Sequence, residues 1–507
     1  MTNNAAAWFV DRNVVEGRGF QAAFADPERT LSYAELHVQS ARFAAALRAA
    51  GVRREERVAL LLLDTVDFPV AFWGAIRAGI VPVPINTLLP ADILGYILAD
   101  SRAAALVVSA PLLPAARAAI AGIGEKPRLI VAPGEFAAFI AGAPGEAPVA
   151  DCSAEEVAFW LYSSGSTGAP KGVQHLHASL RATADTYGAR VLGIQADDVM
   201  FSAAKLFFAY GLGNSMTFPM SVGASSVLLP ERPTPETVLG TIRRFQPTIF
   251  AGVPTLYAAL LAHPGLGHGA GAARLRRCIS AGEPLPEPVG RRWEQVVGVE
   301  ILDGLGSTEM LHIFLSNRPG AVRYGTTGVP VPGYELRIVD AEGQDVPEGE
   351  PGELIVRGPS AAEGYWNQRD RSRRTFRGEW TYTGDTYVRE PDGNYRYQGR
   401  ADDMLKVSGI WVSPFEVEDA LVAHAAVLEA AVIGHSDADG LIKPKAFVVL
   451  QEAARAADKS VLTEELQAHV KARAGPWKYP RWIEFVDTLP KTATGKIQRY
   501  KLRAMAG

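Results

Sequence analysis

Between about residues 55 and 305, short unbroken apolar runs alternate with helical stretches, and this alternation constrains the fold more than any other feature of the chain. The runs at 58–63, 81–85, 105–109, 157–164, 224–229, 248–253, 276–282 and 299–304 read as strands, and 67–78 and 91–100 read as helices between them. A strand that is apolar throughout is covered on both faces. Helices inserted between such strands imply parallel sheets built from right-handed βαβ units.

The texture changes after about residue 325. Strands with polar alternation follow, two of them joined by the turn residues Pro391-Asp392-Gly393-Asn394. From about 401 the pattern becomes α+β, with a helix near Pro414, strands at 430–434 and 445–450, and a polar helix at 460–473. The fold class expected is α/β. A large N-terminal domain of βαβ-built sheets spans 1–400 and carries a small β-rich subdomain at about 325–400; a small mobile α+β C-terminal domain spans 401–507. A chain of 507 residues has room for about three such units. The Ala/Gly-rich stretches at 115–122, 137–150 and 262–273 are expected at the surface.

Charge and cysteine content exclude several classes of function. The 51 basic and 55 acidic residues leave a net charge of −4, which points to neither a nucleic acid nor a membrane as partner. Cys152 and Cys278 are too few and too far apart for a disulfide framework or a four-cysteine zinc site. No basic segment followed by an apolar one opens the chain, and no apolar run is long enough to span a bilayer. A cytoplasmic protein is expected.

The most specific feature is Tyr162-Ser-Ser-Gly-Ser-Thr-Gly-Ala-Pro-Lys-Gly172, placed after an apolar strand and before a helix expected around 177–188. Gly165 and Gly168 let the backbone approach a ligand, Ser163, Ser164, Ser166 and Thr167 offer hydroxyls, and Lys171 adds positive charge; together they suit a polyphosphate. No Gly-Lys-Ser/Thr closes the loop, so it is not a Walker A sequence.

This loop resembles the signature of the adenylate-forming enzymes, the acyl-CoA synthetases, luciferases and peptide-synthetase adenylation domains. Further motifs follow in that family's order. Ser280-Ala-Gly-Glu-Pro284 is similar to its adenine-contacting turn. Asp303-Gly-Leu-Gly-Ser-Thr-Glu309 is similar to its Tyr-Gly-x-Thr-Glu motif, with Leu305 in the usual Tyr place. Thr383-Gly-Asp385 resembles its ribose motif, Gly399-Arg-Ala-Asp-Asp403 its hinge motif, and Pro490-Lys-Thr-Ala-Thr-Gly-Lys496 its C-terminal lysine motif.

The resemblance implies a reaction in two halves. A carboxylate attacks the α-phosphate of ATP, releasing pyrophosphate and forming an acyl-adenylate; coenzyme A then takes the acyl group. Glu309 would bind Mg²⁺, for which a hard carboxylate oxygen is suited, and Thr308 would contact phosphate. Ala281, Gly282, Glu283, Pro284, Asp303, Gly304, Leu305, Gly306 and Ser307 would line the nucleotide. Asp385 would accept from the ribose hydroxyls, with Arg400 as a second ribose or phosphate contact. Lys496 would be the catalytic cation, placed where negative charge develops. Asp402 would be the hinge about which the C-terminal domain turns, bringing Ser408, Gly409 and Trp411 to coenzyme A, with Lys478 at its phosphates.

The acyl pocket is expected from Ala209, Tyr210, Gly304, Gly306, His312 and Ile313. Small and aromatic residues together make a short flat slot rather than an alkyl tunnel. The strings around 202–211 and 306–317 resemble those of benzoate–CoA ligases, so benzoate or a close analogue is the substrate implied. The alternatives are a ligase for 2-aminobenzoate or 4-hydroxybenzoate, an adenylating enzyme that loads a carrier-protein thiol, and a nucleotide-binding regulator without turnover. A homodimer is left open. His175 and His177 form an H-x-H pair without a third ligand nearby, which is no zinc site; His177 is expected to serve the start of its helix.

Overall fold

A computed structural model describes residues 3–506 apart from 133, 166–167, 401–403, 408–409, 438–440, 476–477 and 492–496. Its largest sheet has nine strands. In spatial order they are Val329–Pro330, Ile313–Ser316, Ile301–Gly306, Arg277–Ala281, Ile249–Gly252, Val199–Ser202, Ser225–Val227, Ala22–Ala25 and Thr30–Ser32. The strands from Ile301–Gly306 to Ala22–Ala25 pair in parallel, and the outer strands run antiparallel. Helix Pro235–Phe245 begins on a capping box, with Thr234 accepting from Thr237 N and Pro235 opening the first turn. Helix Glu287–Val297 stops at Gly298, whose φ of 80° is a left-handed cap.

A second, four-stranded sheet is parallel throughout, in the order Val81–Pro84, Arg57–Leu61, Ala103–Val108 and Leu129–Val131. Pro82 and Pro84 donate no ladder hydrogen bond, and their strand lies at the sheet's edge. The Ala-rich segment 115–122 lies at the surface as expected, but one face of it is packed. Helix Leu113–Ala121 buries Ala116 and Ala119, and the absence of a side chain at Gly95 lets the neighbouring helix approach Ala119 O closely.

The apolar run at 157–164 departs from the parallel pattern. Strand Val157–Gly165 pairs antiparallel with Gly168–Leu176, and Gly364–Tyr365 completes a separate three-stranded sheet. Gly165 pairs with Gly168 in the antiparallel register, so the residues of the expected phosphate loop join two strands of a hairpin. The helix expected after it starts at His177, where the sequence places it.

The β-rich region forms one antiparallel sheet of Glu335–Val339, Gly352–Arg357, Trp380–Arg389 and Phe376–Arg377, with Tyr395–Arg400 paired to Trp380–Arg389. Strand Tyr395–Arg400 ends where the domain boundary was expected; Asp402 is outside the described residues. Beyond it, Val427–Ser436, Ile442–Leu450 and Trp482–Phe485 form a sheet packed by helices Pro414–Val422 and Lys459–Ala474. This part has its own core, including Val417, Leu421, Val432, Leu466 and Val470.

Candidate active site

The register of the large sheet assembles the first part of the site. Parallel pairing sets Ser280 beside Asp303 and Ala281 beside Gly304, so the turn Gly282–Pro284 leaves the sheet next to the segment 303–309. Both leave at carboxyl ends of parallel strands, where open α/β sheets bind ligands. Gly282 turns away with a φ of 98°. Pro284 and Asp303 share a small cavity with Tyr397, Phe415 and Glu416. Asp303 and Ser280 are buried side by side, and burial pushes the Asp303 carboxyl up to about 8.

A tight turn then lifts Thr308 and Glu309 out of the sheet. Leu311 N donates to Thr308 O at 3.2 Å, His312 N donates to Met310 O at 2.8 Å, and Ser307 Oγ accepts from Met310 N. Leu311 is buried with a φ of 64°, a strained conformation for a branched residue that the packing of Met310 and Leu311 enforces. Strain of this kind beside a candidate ligand site is a recurrent property of functional loops.

The hairpin meets this turn from the other side. His175 Nε2 lies 2.8 Å from Thr308 O, and burial holds the ring neutral, its pKa lowered to about 4. Lys171 Nζ donates to Glu309 Oε1 at 2.8 Å and to Tyr365 Oη at 2.8 Å, while Tyr365 donates to Glu309 Oε1 at 2.8 Å. Burial opposes the Glu309 charge, but Lys171 and Tyr365 outweigh it and hold the carboxyl below its ordinary value. Tyr365 carried no signal in the sequence that set it apart from other strand tyrosines. Ser163 Oγ is buried at the base of the loop without a partner among the described residues. Ser166 and Thr167 are outside those residues, and of Ser164, Gly165 and Gly168 only the backbone is described.

A second charged pair lies in the β-rich sheet. Asp385 faces Arg400 across antiparallel strands, with Nη1 2.9 Å from Oδ1, and the carboxylate raises the guanidinium pKa. Gly384 adopts a φ of 70°, and a Cβ there would come 2.9 Å from Arg400 Nη2. Thr383 Oγ1 donates to Leu354 O and accepts from Asp385 N, which fixes the turn.

The residues expected at the acyl pocket converge, with one correction. Ala209 and Tyr210 open the helix Ala209–Leu212, which runs into the π-helical turn Gly213–Thr217. His312 packs against Tyr187, Tyr210 and Phe218 at ring distances of 5.2, 5.7 and 4.5 Å. Its Nε2 donates to Tyr210 O at 3.3 Å, its Nδ1 has no partner among the described residues, and burial lowers its pKa to about 3. Tyr210 spends its hydroxyl on Gly252 O and Ile279 O. Gly304 and Gly306 are not small merely to clear a ring. A Cβ at Gly306 would meet His312 O at 2.7 Å, and one at Gly304 would meet Ile313 Cγ2 at 2.8 Å. The chain's own next strand demands glycine there.

Other expectations meet different surroundings. Lys478, expected at coenzyme A, donates to both oxygens of Glu416 at 2.7 Å. His177 does not cap its helix; its Nδ1 accepts Ala5 N at 3.1 Å and ties down the N-terminal segment. Lys496, Ser408 and Gly409 are outside the described residues, as is the Trp411 side chain. Among the described residues no group of three or more His, Cys, Asp or Glu side chains could hold a metal ion. Mg²⁺ needs no such cage, since it is commonly held by one or two carboxylates with substrate phosphates and water. Glu309, an ionised carboxylate with no described side chain on Oε2, fits that mode.

The AMP-binding enzyme family matches residues 10–366, and the AMP-binding enzyme C-terminal domain matches 416–496. A 4-hydroxybenzoate–CoA/benzoate–CoA ligase of Rhodopseudomonas palustris is 57% identical over 510 residues, covering 99% of this chain and 94% of its own length. A benzoate–CoA ligase of Thauera aromatica is 53% identical over 507 residues, covering 99% and 96%. The crystal structure of a benzoate CoA ligase from Burkholderia xenovorans superposes with a TM-score of 0.92 at 51% identity, covering 99% of each chain.

Proposed function

The chain belongs to the AMP-binding enzyme family, and on that premise we propose that it is an AMP-forming acid–thiol ligase acting on benzoate or a close aromatic analogue. It activates the acid with ATP to an acyl-adenylate and transfers the acyl group to coenzyme A, giving aroyl-CoA, AMP and pyrophosphate. The observation that carries this reading is likeness to benzoate–CoA ligases at 53–57% identity along essentially the whole chain.

In this reading the two charged pairs divide the nucleotide between them. Asp385 and Arg400 take the ribose, and Lys171 and the hairpin tip take the phosphates. Glu309 would hold Mg²⁺, which when bound would screen the phosphate charge that repels an incoming carboxylate. Thr308, fixed by His175 through its carbonyl, is presented beside it. Lys496 supplies the cation for adenylate formation. The 401–507 segment turns about Asp402 to exchange Lys496 for the 406–412 hairpin when coenzyme A reacts.

His312 narrows the acid. A neutral ring that donates through Nε2 keeps a lone pair on Nδ1, so it can accept from a ring hydroxyl or amine. This places 4-hydroxybenzoate and 2-aminobenzoate beside benzoate as acids to test. We place the enzyme in the cytoplasm: Cys152 and Cys278 are free thiols, and no helix among the described residues is long and apolar enough to cross a membrane. Mass spectrometry of the product made with free coenzyme A tests the ligase reading. An aroyl-CoA mass supports it. Adenylate that accumulates with coenzyme A present, and clears only when a carrier protein is added, rejects it for the carrier-loading alternative.

A further inference from the structure

We infer that Tyr365 is a positioning residue for the ATP phosphates: its hydroxyl fixes Glu309 and Lys171 relative to each other for MgATP, and AMP does not depend on it. The inference rests on the functional reading above, which assigns Glu309 and Lys171 to the metal and the phosphates.

The backbone places Tyr365 beside Lys171. Strand Gly364–Tyr365 pairs antiparallel with the hairpin strand Gly168–Leu176, with Tyr365 opposite Val173, and Trp366 N donates to Gly172 O at 2.8 Å. The same segment braces Glu309 from behind, since Ala362 N donates to Glu309 O at 2.8 Å. Tyr365 thus joins two segments that are distant in sequence and contribute opposite charges.

Proton accounting gives the hydroxyl a definite role. Lys171 has only donors and Glu309, ionised, has only acceptors. The Tyr365 oxygen accepts from Lys171, and its single proton goes to Glu309 Oε1 at 2.8 Å, the nearer of its two acceptors, with Thr375 Oγ1 at 3.3 Å. Tyr365 is the one described side chain that contacts both charges, accepting from one and donating to the other. Both charged side chains are mostly sheltered, at 16% and 15% exposure. Water therefore replaces the hydroxyl poorly, and with Oε1 doubly engaged the carboxylate cannot rotate freely.

The ring has a separate function, which makes the test clean. It is buried against Phe376 at 5.4 Å and lies under the Lys171 ammonium at 4.1 Å. Tyr365→Phe keeps the burial and the cation–π contact and removes only the oxygen. AMP carries the adenine, the ribose and the α-phosphate but lacks the β- and γ-phosphates, whose charge Lys171 and a Glu309-held Mg²⁺ would meet in this reading.

Isothermal titration calorimetry on the full chain, wild type and Tyr365→Phe, with MgATP and with AMP, tests the inference, supported by a thermal melt and by KM for benzoate. MgATP affinity is expected to fall at least about tenfold, the size of a lost hydrogen bond to a charged group, with AMP affinity and benzoate KM within about twofold. Equal weakening of both nucleotides, or of neither, overturns it. So does a variant that melts early and binds neither, because the hydroxyl would then be serving the fold. A wild type that binds neither nucleotide instead defeats the functional reading, and the role of Tyr365 falls with it.

Discussion

Asp385 and Arg400 stand opposite each other in one antiparallel strand pair, with Nη1 2.9 Å from Oδ1, and only the carboxylate is sheltered: its side chain is 12% exposed against 46% for the arginine. In the proposed function such a pair would hold a carboxylate ready for ribose hydroxyls while leaving the guanidinium able to reach a ligand. Arg400→Ala should weaken MgATP and AMP alike, by about 10- to 100-fold, because the ribose is common to both. Calorimetry with the two nucleotides measures this, and it is the reverse of the selective loss expected for Tyr365→Phe. Unchanged AMP affinity would remove the pair from the ribose site.

The two half-reactions should separate at Lys496 and Asp402. Lys496→Ala should lose adenylate formation by about 10²-fold or more, on the scale of deleting a main electrostatic stabiliser. It should still convert presynthesised benzoyl-adenylate and coenzyme A to thioester. Asp402→Pro, with φ fixed, should do the opposite. Pyrophosphate release and thioester formation are assayed separately, and equal loss of both halves in either variant contradicts the division of labour.

The acyl slot is best probed at Ala209. Ala209→Leu fills space in a half-buried position and should cost about 1–3 kcal/mol, so kcat/KM for benzoate should fall about 5- to 150-fold with MgATP affinity unchanged. Gly306→Ala is a different experiment. Its Cβ would sit 2.7 Å from His312 O, so it should lower the melting temperature as well as the activity. A Gly306→Ala chain as stable as wild type would show that the strand can shift, and that ring clearance is the glycine's main role.

Asp303 predicts a pH dependence of stability with a definite sign. Burial raises its folded pKa to about 8 from an ordinary value of 3.8. The unfolded chain releases this proton first, so the stability it contributes is complete below about pH 4 and is lost as pH rises towards 8. Asp303→Asn cannot titrate. Its melting temperature should match wild type near pH 4 and exceed it increasingly towards pH 8, with a slope of at most about 1.4 kcal/mol per pH unit. A gap that stays constant with pH would mean that Asp303 is already ionised in the folded chain.

The parallel core was legible because strands covered on both faces are apolar throughout, as at Ile249–Gly252 and Arg277–Ala281. The same apolar texture misplaced Val157–Gly165, since burial says nothing about which neighbour a strand pairs with. The short span from Gly165 to Gly168 decided that pairing. Lys171, Glu309, Asp385 and Arg400 could be named from motifs, because charge in a fixed spacing is visible in a linear string. Tyr365 could not, since its meaning comes from the register of a two-residue strand against the hairpin. In the linear string the glycines at 304 and 306 suggest room for a substrate, and only the fold sets Ile313 and His312 O against them.

The central claim is that this chain joins an aromatic acid to coenzyme A through an adenylate. Pyrophosphate release, with mass analysis of the thioester, across benzoate, 4-hydroxybenzoate, 2-aminobenzoate and straight-chain aliphatic acids tests it most directly. ATP- and Mg²⁺-dependent aroyl-CoA formation is expected, with benzoate or one of its two analogues giving the highest kcat/KM. A straight-chain acid that surpasses all three, or pyrophosphate release with no aroyl-CoA in the presence of coenzyme A, would contradict it.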